Sequence, residues 1–133
     1  MTPNVSTSIF EQRRATILVI DDDTSIRVVT QRLLEHLGYA VITAVDGHSA
    51  ITILQAAPLS IDCALLDLTM PGMRGIDVAD RLRQIRANLP IILMSGYYGE
   101  PLQLAGDPRH THFLGKPFAI DELRRVLQAA LNS

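Results

Sequence analysis

Residues 17–23 read ILVIDDD, four aliphatic side chains followed at once by three aspartates. An apolar run without polar alternation suits a strand covered on both faces, as in a parallel sheet sandwiched between helices. The abrupt change to acid marks the point where this strand reaches the edge of the sheet. Residues 24–38, TSIRVVTQRLLEHLG, then repeat Ile26, Val29, Leu33 and Leu37 at helical spacing before Gly38 supplies a stop. The same alternation recurs downstream. Further strands are expected at residues 39–43 (YAVIT), 63–66 (CALL), 90–94 (PIILM) and 112–115 (HFLG). One helix is expected from a cap at Asp46 through Ile53 and Leu54 to Pro58, and a second along Ile76, Ala79, Leu82 and Ile85. A last one covers residues 119–131, with Leu123, Val126, Leu127 and Ala130 on one face. Residues 97–110, YYGEPLQLAGDPRH, contain Gly99, Pro101, Gly106 and Pro108, so the fourth crossover holds a short helix at most.

Five strands joined by helical crossovers predict an α/β fold, a parallel sheet with helices on both faces, because parallel neighbours need long right-handed connections. With 133 residues there is room for one core. Residues 1–14 are polar, lack the apolar centre of a signal peptide and read as a flexible tail, leaving residues 15–133 as the single domain. A formal net charge of −2 gives no general attraction to phosphate backbones, which argues against direct nucleic-acid binding. No apolar run reaches membrane-spanning length and no secretory signal precedes the domain, so no membrane partner and a cytoplasmic location are expected. The single cysteine, Cys63, excludes an internal disulfide and reads as a small core residue.

Every strong polar feature follows a strand. Asp21 and Asp22 come after the first, Asp67 after the third, Ser95 after the fourth and Lys116 after the fifth. In an open parallel sheet these ends form one rim, and ligands bind where the strand order reverses. The order 2-1-3-4-5, taken over from known doubly wound sheets, brings Asp21, Asp22 and Asp67 together. Three carboxylates in one cleft repel by about 3–4 kcal/mol per pair at about 4–5 Å and an effective dielectric near ~20. Lys116, the only lysine in the chain, leaves two formal negative charges, which one divalent cation cancels. Mg²⁺ suits such an all-oxygen set and keeps room for a phosphate oxygen. The cleft therefore reads as a receiver of a phosphoryl group, with a carboxylate to attack phosphorus and cations and a hydroxyl to hold its oxygens. A compact ammonium can approach both a carboxylate and a phosphoryl oxygen, whereas the guanidinium fork demands a planar partner. A cis bond before Pro117 would help aim that ammonium.

VIDDD, DLTMPGMRG, MSG and KPF, in this order between about residues 16 and 131, resemble the motifs of the receiver domain of two-component response regulators. The resemblance implies a flavodoxin-like (βα)5 three-layer sandwich. It implies that Asp67 accepts phosphate from a sensor histidine kinase or a histidine phosphotransfer protein. Asp22, Asp67 and the backbone carbonyl of Thr69 would bind Mg²⁺, with Asp21 assisting through water. Ser95 and Lys116 would contact the phosphoryl group, and Phe113 would be the switch aromatic, without the hydroxyl that many members carry. The product is a signalling switch, not an enzyme beyond its own phosphorylation and dephosphorylation, with an unidentified output partner and a phosphorylation-dependent dimer as one form of output. No effector domain follows Ser133, which suits a free-standing regulator or a piece of a hybrid kinase.

Two other functions fit parts of the pattern. A phosphate-independent interaction module would keep the fold without the chemistry, but the complete set Asp21, Asp22, Asp67, Ser95 and Lys116 argues against it. An aspartate-nucleophile phosphatase would use Asp21 in a D-x-D with Asp23, and needs a later acidic pair near the cleft; the late acids are Glu100, Asp107, Asp121 and Glu122, and the last two lie in the closing helix. Blander assignments hold elsewhere. His110 and His112 are expected as strand or surface histidines, His48 as exposed, and His36 as a helix-end residue. Arg81, Arg83 and Arg86 read as a solvated helix face, and so do Arg124 and Arg125.

Overall fold

A computed structural model describes residues 14–96 and 110–132. The aliphatic runs form the strands β1 (Thr16–Ile20), β2 (Ala40–Ala44), β3 (Cys63–Asp67), β4 (Ile91–Ser95) and β5 (Thr111–Gly115). They make one parallel sheet in the order β2-β1-β3-β4-β5. Four helices are present among the described residues: α1 (Thr24–His36), α2 (Gly47–Ala56), α3 (Gly75–Ile85) and α4 (Ile120–Leu131). The expectations for the fourth crossover at residues 97–110 and for the tail at residues 1–14 lie outside the described residues except for His110 and Arg14.

Side chains alternate across a strand, so β1 feeds two cores at once. Leu18 and Ile20 join Ala50, Leu54, Leu66, Val78 and Leu82 beneath α2 and α3. Ile17 and Val19 join Leu34, Leu65, Ile92, Leu123 and Leu127 beneath α1 and α4. β3 is buried along its whole length, including the terminal Asp67. Cys63 is one of these interior residues, and burial pushes its thiol up to about 12, which leaves it an inert core side chain.

The helix starts follow local chemistry. Asp23 caps α1 by accepting from the Ile26 amide at 3.0 Å, and Asp46 caps α2 by accepting from the Ser49 amide at 2.8 Å. That bond holds the Asp46 carboxyl below the usual carboxylate range. Gly38 ends the α1 segment at φ +100°, a conformation that a side chain disfavours. At the start of α4, Glu122 accepts from the Ala119 amide at 3.1 Å.

Two sequence expectations need correction. The buried stripe of α1 runs through Thr30 and Leu34, with Leu33 and Leu37 packed beside it, whereas Ile26 and Val29 are 39% and 56% exposed. A turn of 100° per residue separates neighbouring stripes, and the sheet covers the one that faces β1. Arg83 and Arg86 are half-buried rather than a freely solvated face: Arg83 donates to the carbonyls of Leu89 and His110, and Arg86 to those of Pro58 and Ile61. They tie loops at the amino-terminal edge of the sheet.

Candidate functional site

The site assembles at the carboxyl ends of β1, β3, β4 and β5, on either side of the reversal in strand order. β1 leads directly into Asp21, whose amide donates to the Ala44 carbonyl at 3.2 Å and so continues the sheet register by one residue. Asp67 is the last residue of β3, and Ser95 of β4. Lys116 follows β5, with its amide donating to the Ser95 carbonyl at 2.8 Å. The Lys116–Pro117 bond is cis.

Asp21, Asp22 and Asp67 each offer a carboxylate oxygen within 4.8 Å of the others. Asp21 is fully buried, Asp67 is 3% exposed and Asp22 lies open to solvent. The Lys116 Nζ sits 3.3 Å from Asp67 Oδ2 and 3.9 Å from Asp21 Oδ2. Asp21 Oδ1 accepts from the Asp23 amide at 2.9 Å, but Oδ2 has no hydrogen-bond partner. Burial pushes the Asp21 carboxyl above its usual range; the Asp23 amide opposes this, and the Asp67 charge adds to it. A buried carboxylate oxygen without a donor, facing two more carboxylates and one ammonium, is an arrangement suited to a hard cation. The donor set contains oxygen only, which fits Mg²⁺.

Asp67 is held asymmetrically. Oδ2 faces Lys116, while Oδ1 accepts from both the amide (2.9 Å) and the hydroxyl (2.7 Å) of Thr69. Gly75 makes this loop possible, because a Cβ there would lie 2.6 Å from Leu68 Cδ2 and 3.0 Å from Leu68 Cα. Beside Lys116, Ile26, Val29, Leu33, Pro117 and Phe118 line an open apolar groove of about 490 Å³.

Asp21, Asp22, Asp67 and Lys116 thus come together at one rim, and Ser95 ends the neighbouring β4 with its carbonyl bonded to the Lys116 amide. Phe113 is half-buried on β5 and packs against the core beneath α2 and α3. The Thr69 hydroxyl bond went unforeseen, since the sequence reading considered only the carbonyl of that residue. His48 and His36 are exposed. His112 is half-buried on β5, and burial, then His110 and Arg83, push its imidazole below its usual value. Among the described residues no late acid pair stands at the cleft: Asp121 pairs with Arg124 at 3.2 Å and Glu122 caps α4, while Glu100 and Asp107 lie outside the described residues. Among the described residues, the acidic cluster that could hold a metal consists of Asp21, Asp22 and Asp67.

The family model of the response regulator receiver domain matches residues 17–128. The chain belongs to that family. Among curated relatives of this receiver domain, the response regulator MprA of Mycolicibacterium vanbaalenii is 35% identical over 116 residues, covering 86% of this chain and 49% of that protein. The sporulation initiation phosphotransferase F of Bacillus subtilis is 35% identical over 120 residues, covering 86% of this chain and 92% of that one. The chain therefore spans about half the length of the MprA relatives it matches. Among solved structures, it resembles the receiver domain of the sensor histidine kinase PA1611 from Pseudomonas aeruginosa PAO1, which has a magnesium ion coordinated in its active-site cleft. The TM-score is 0.79 at 26% identity, over 91% of this chain and all of that one. This chain is a receiver domain of the response-regulator family. No helix among the described residues is long and apolar enough to cross a membrane.

Proposed function

We propose that Asp67 is the phosphoacceptor, taking a phosphoryl group from a phosphohistidine of a sensor kinase or phosphotransfer protein. The observation that carries this reading is the Lys116 ammonium, 3.3 Å from Asp67 Oδ2 and shared with Asp21 at the reversal of strand order. Asp67 attacks phosphorus with a carboxylate oxygen, the bond from phosphorus to the donor nitrogen breaks, and its electron pair leaves on the imidazole. Lys116 neutralises charge on the transferred oxygens, and the Ser95 hydroxyl holds one of them. Asp22, Asp67 and the Thr69 carbonyl would hold Mg²⁺, with Asp21 assisting through water; the ion would offset the charge that the carboxylates and phosphoryl oxygens bring together. Phe113 responds through packing against its core neighbours.

The donor histidine must come into line with Asp67, so its carrier has to sit on the rim of the cleft. The exposed apolar groove bordered by Ile26, Val29 and Phe118 suits that contact. The domain, residues 15–133, works in the cytoplasm with no catalysis beyond its own phosphorylation and dephosphorylation. An unidentified output partner reads its state, with a phosphorylation-dependent dimer as one form of output. Incubation with Mg²⁺ and a small phosphodonor, followed by borohydride trapping and mass spectrometry, should place one adduct on Asp67 and none in Asp67→Asn. An adduct on Asp21 would instead indicate the phosphatase chemistry, and metal binding without any adduct would indicate an inert interaction module.

A further inference from the structure

The turn from β1 into α1 carries two of the three carboxylates of the cleft, and a side chain from α1 reaches back to hold its backbone. Arg27 Nη1 donates to the Asp21 carbonyl at 2.8 Å, and Nη2 lies 3.4 Å from the Thr24 hydroxyl at the start of the helix. Arg27 is half-buried, whereas Ile26 and Val28 on either side of it are exposed. We propose that Arg27 is a positioning residue for the metal site: by holding the Asp21 carbonyl it fixes the peptide that leads into Asp22, and with it the place of the Asp22 carboxylate. This rests on the reading of Asp22 as a Mg²⁺ ligand.

The three carboxylates differ in what holds them. Asp21 is fully buried, with its amide on the Ala44 carbonyl and one carboxylate oxygen on the Asp23 amide. Asp67 is buried at the end of β3 and tied to Thr69 and Lys116. Asp22 is exposed, so the location of its carboxylate depends on the backbone that carries it. A peptide unit is planar, so the Asp21 carbonyl and the Asp22 amide and Cα move as one body. A guanidinium on that carbonyl makes a charge-assisted bond, about twice as strong as a neutral one. Removing a group that orients a metal ligand lowers metal affinity by about 10- to 100-fold. The charge of Arg27 acts in the opposite direction, because a cation beside the cleft repels Mg²⁺ and its loss alone would tighten binding. The sign of the change therefore separates positioning from bulk electrostatics.

The test is calorimetric titration of Mg²⁺ into wild type, Arg27→Met and Arg27→Lys, each also made in an Asp22→Asn background. Methionine keeps most of the apolar stem and loses the donor, so affinity should fall about tenfold. Lysine can still reach the carbonyl with an ammonium and should stay within about threefold of wild type. In the Asp22→Asn background the methionine substitution should change affinity by less than about twofold, because its effect passes through the missing carboxylate. In chelator, the NMR order parameter of the Asp22 amide should fall in the methionine variant while those of β1 hold, a readout that needs no metal. Arg27→Gln, too short to reach the carbonyl, makes the same comparison if methionine unfolds the chain. Affinity equal to or tighter than wild type without the donor, or an equal loss in both backgrounds, overturns the proposal alone. A wild type that takes up no Mg²⁺ removes the metal reading and this proposal together.

Discussion

Asp21 is fully buried, with one oxygen tied to the Asp23 amide and the other lacking a donor. Its raised pKa has a definite consequence for stability. The folded chain holds this proton more readily than the unfolded chain does, so metal-free stability falls as pH rises from the usual carboxylate value through the raised one. Asp21→Asn keeps an oxygen for the Asp23 amide and removes the charge. In chelator, the variant should gain about 1–2 kcal/mol near neutral pH, lose that advantage in acid, and bind Mg²⁺ more weakly. Urea unfolding across pH checks this; a variant no more stable than wild type at neutral pH would show that the acidic cluster is not strained. Lys116→Arg makes a different demand. The guanidinium keeps the charge but presents a planar fork where a point charge now bridges Asp67 and Asp21. The fold should survive, while phosphorylation by a small donor should lose its usual conformational response, as read by hydrogen exchange with and without phosphodonor. Each of these side chains was legible because it interrupts or follows an aliphatic run. The Thr69 hydroxyl bond was not, since it depends on a turn geometry that several dihedral angles set together.

At the level of the elements, the strands were read within about one residue because continuous aliphatic runs permit little else in a covered sheet. Helix faces were harder. Ile26 and Val29 follow the spacing of a buried stripe, but only Thr30 and Leu34 of α1 are fully covered. α3 shows the same limit in its charges, since Arg83 and Arg86 look like surface arginines until the loops before β3 and β4 fold back over them. Arg86→Met should therefore destabilise the domain by about 1–3 kcal/mol, because the Pro58 and Ile61 carbonyls lose their common donor while the apolar stem is largely kept. A lowered urea midpoint with an unchanged slope is the expected result. A change within about 0.5 kcal/mol would return Arg86 to the class of ordinary surface residues.

Across the whole molecule, the acidic site links ion binding to folding. Only the folded sheet brings the ends of β1 and β3 together, so Mg²⁺ held as proposed would favour the native state and raise its stability by mass action. At about 100 times the dissociation constant, the gain should be about 2.7 kcal/mol, visible as a higher melting temperature that Asp67→Asn sharply reduces. Sequence by itself determined the alternating strands and helices, the parallel sheet, and the identity of the polar residues that end four of its strands. These follow from local periodicity and from the cost of burying charge, both of which act over a few neighbouring residues. The tertiary structure alone decided that Asp21 is buried with one oxygen lacking a hydrogen-bond donor, that Lys116 bridges two carboxylates, and that Thr69 donates twice to Asp67. Such facts depend on distances of about 3–4 Å between chain segments tens of residues apart or across a tight turn, where hydrogen bonding and Coulomb attraction change steeply with position.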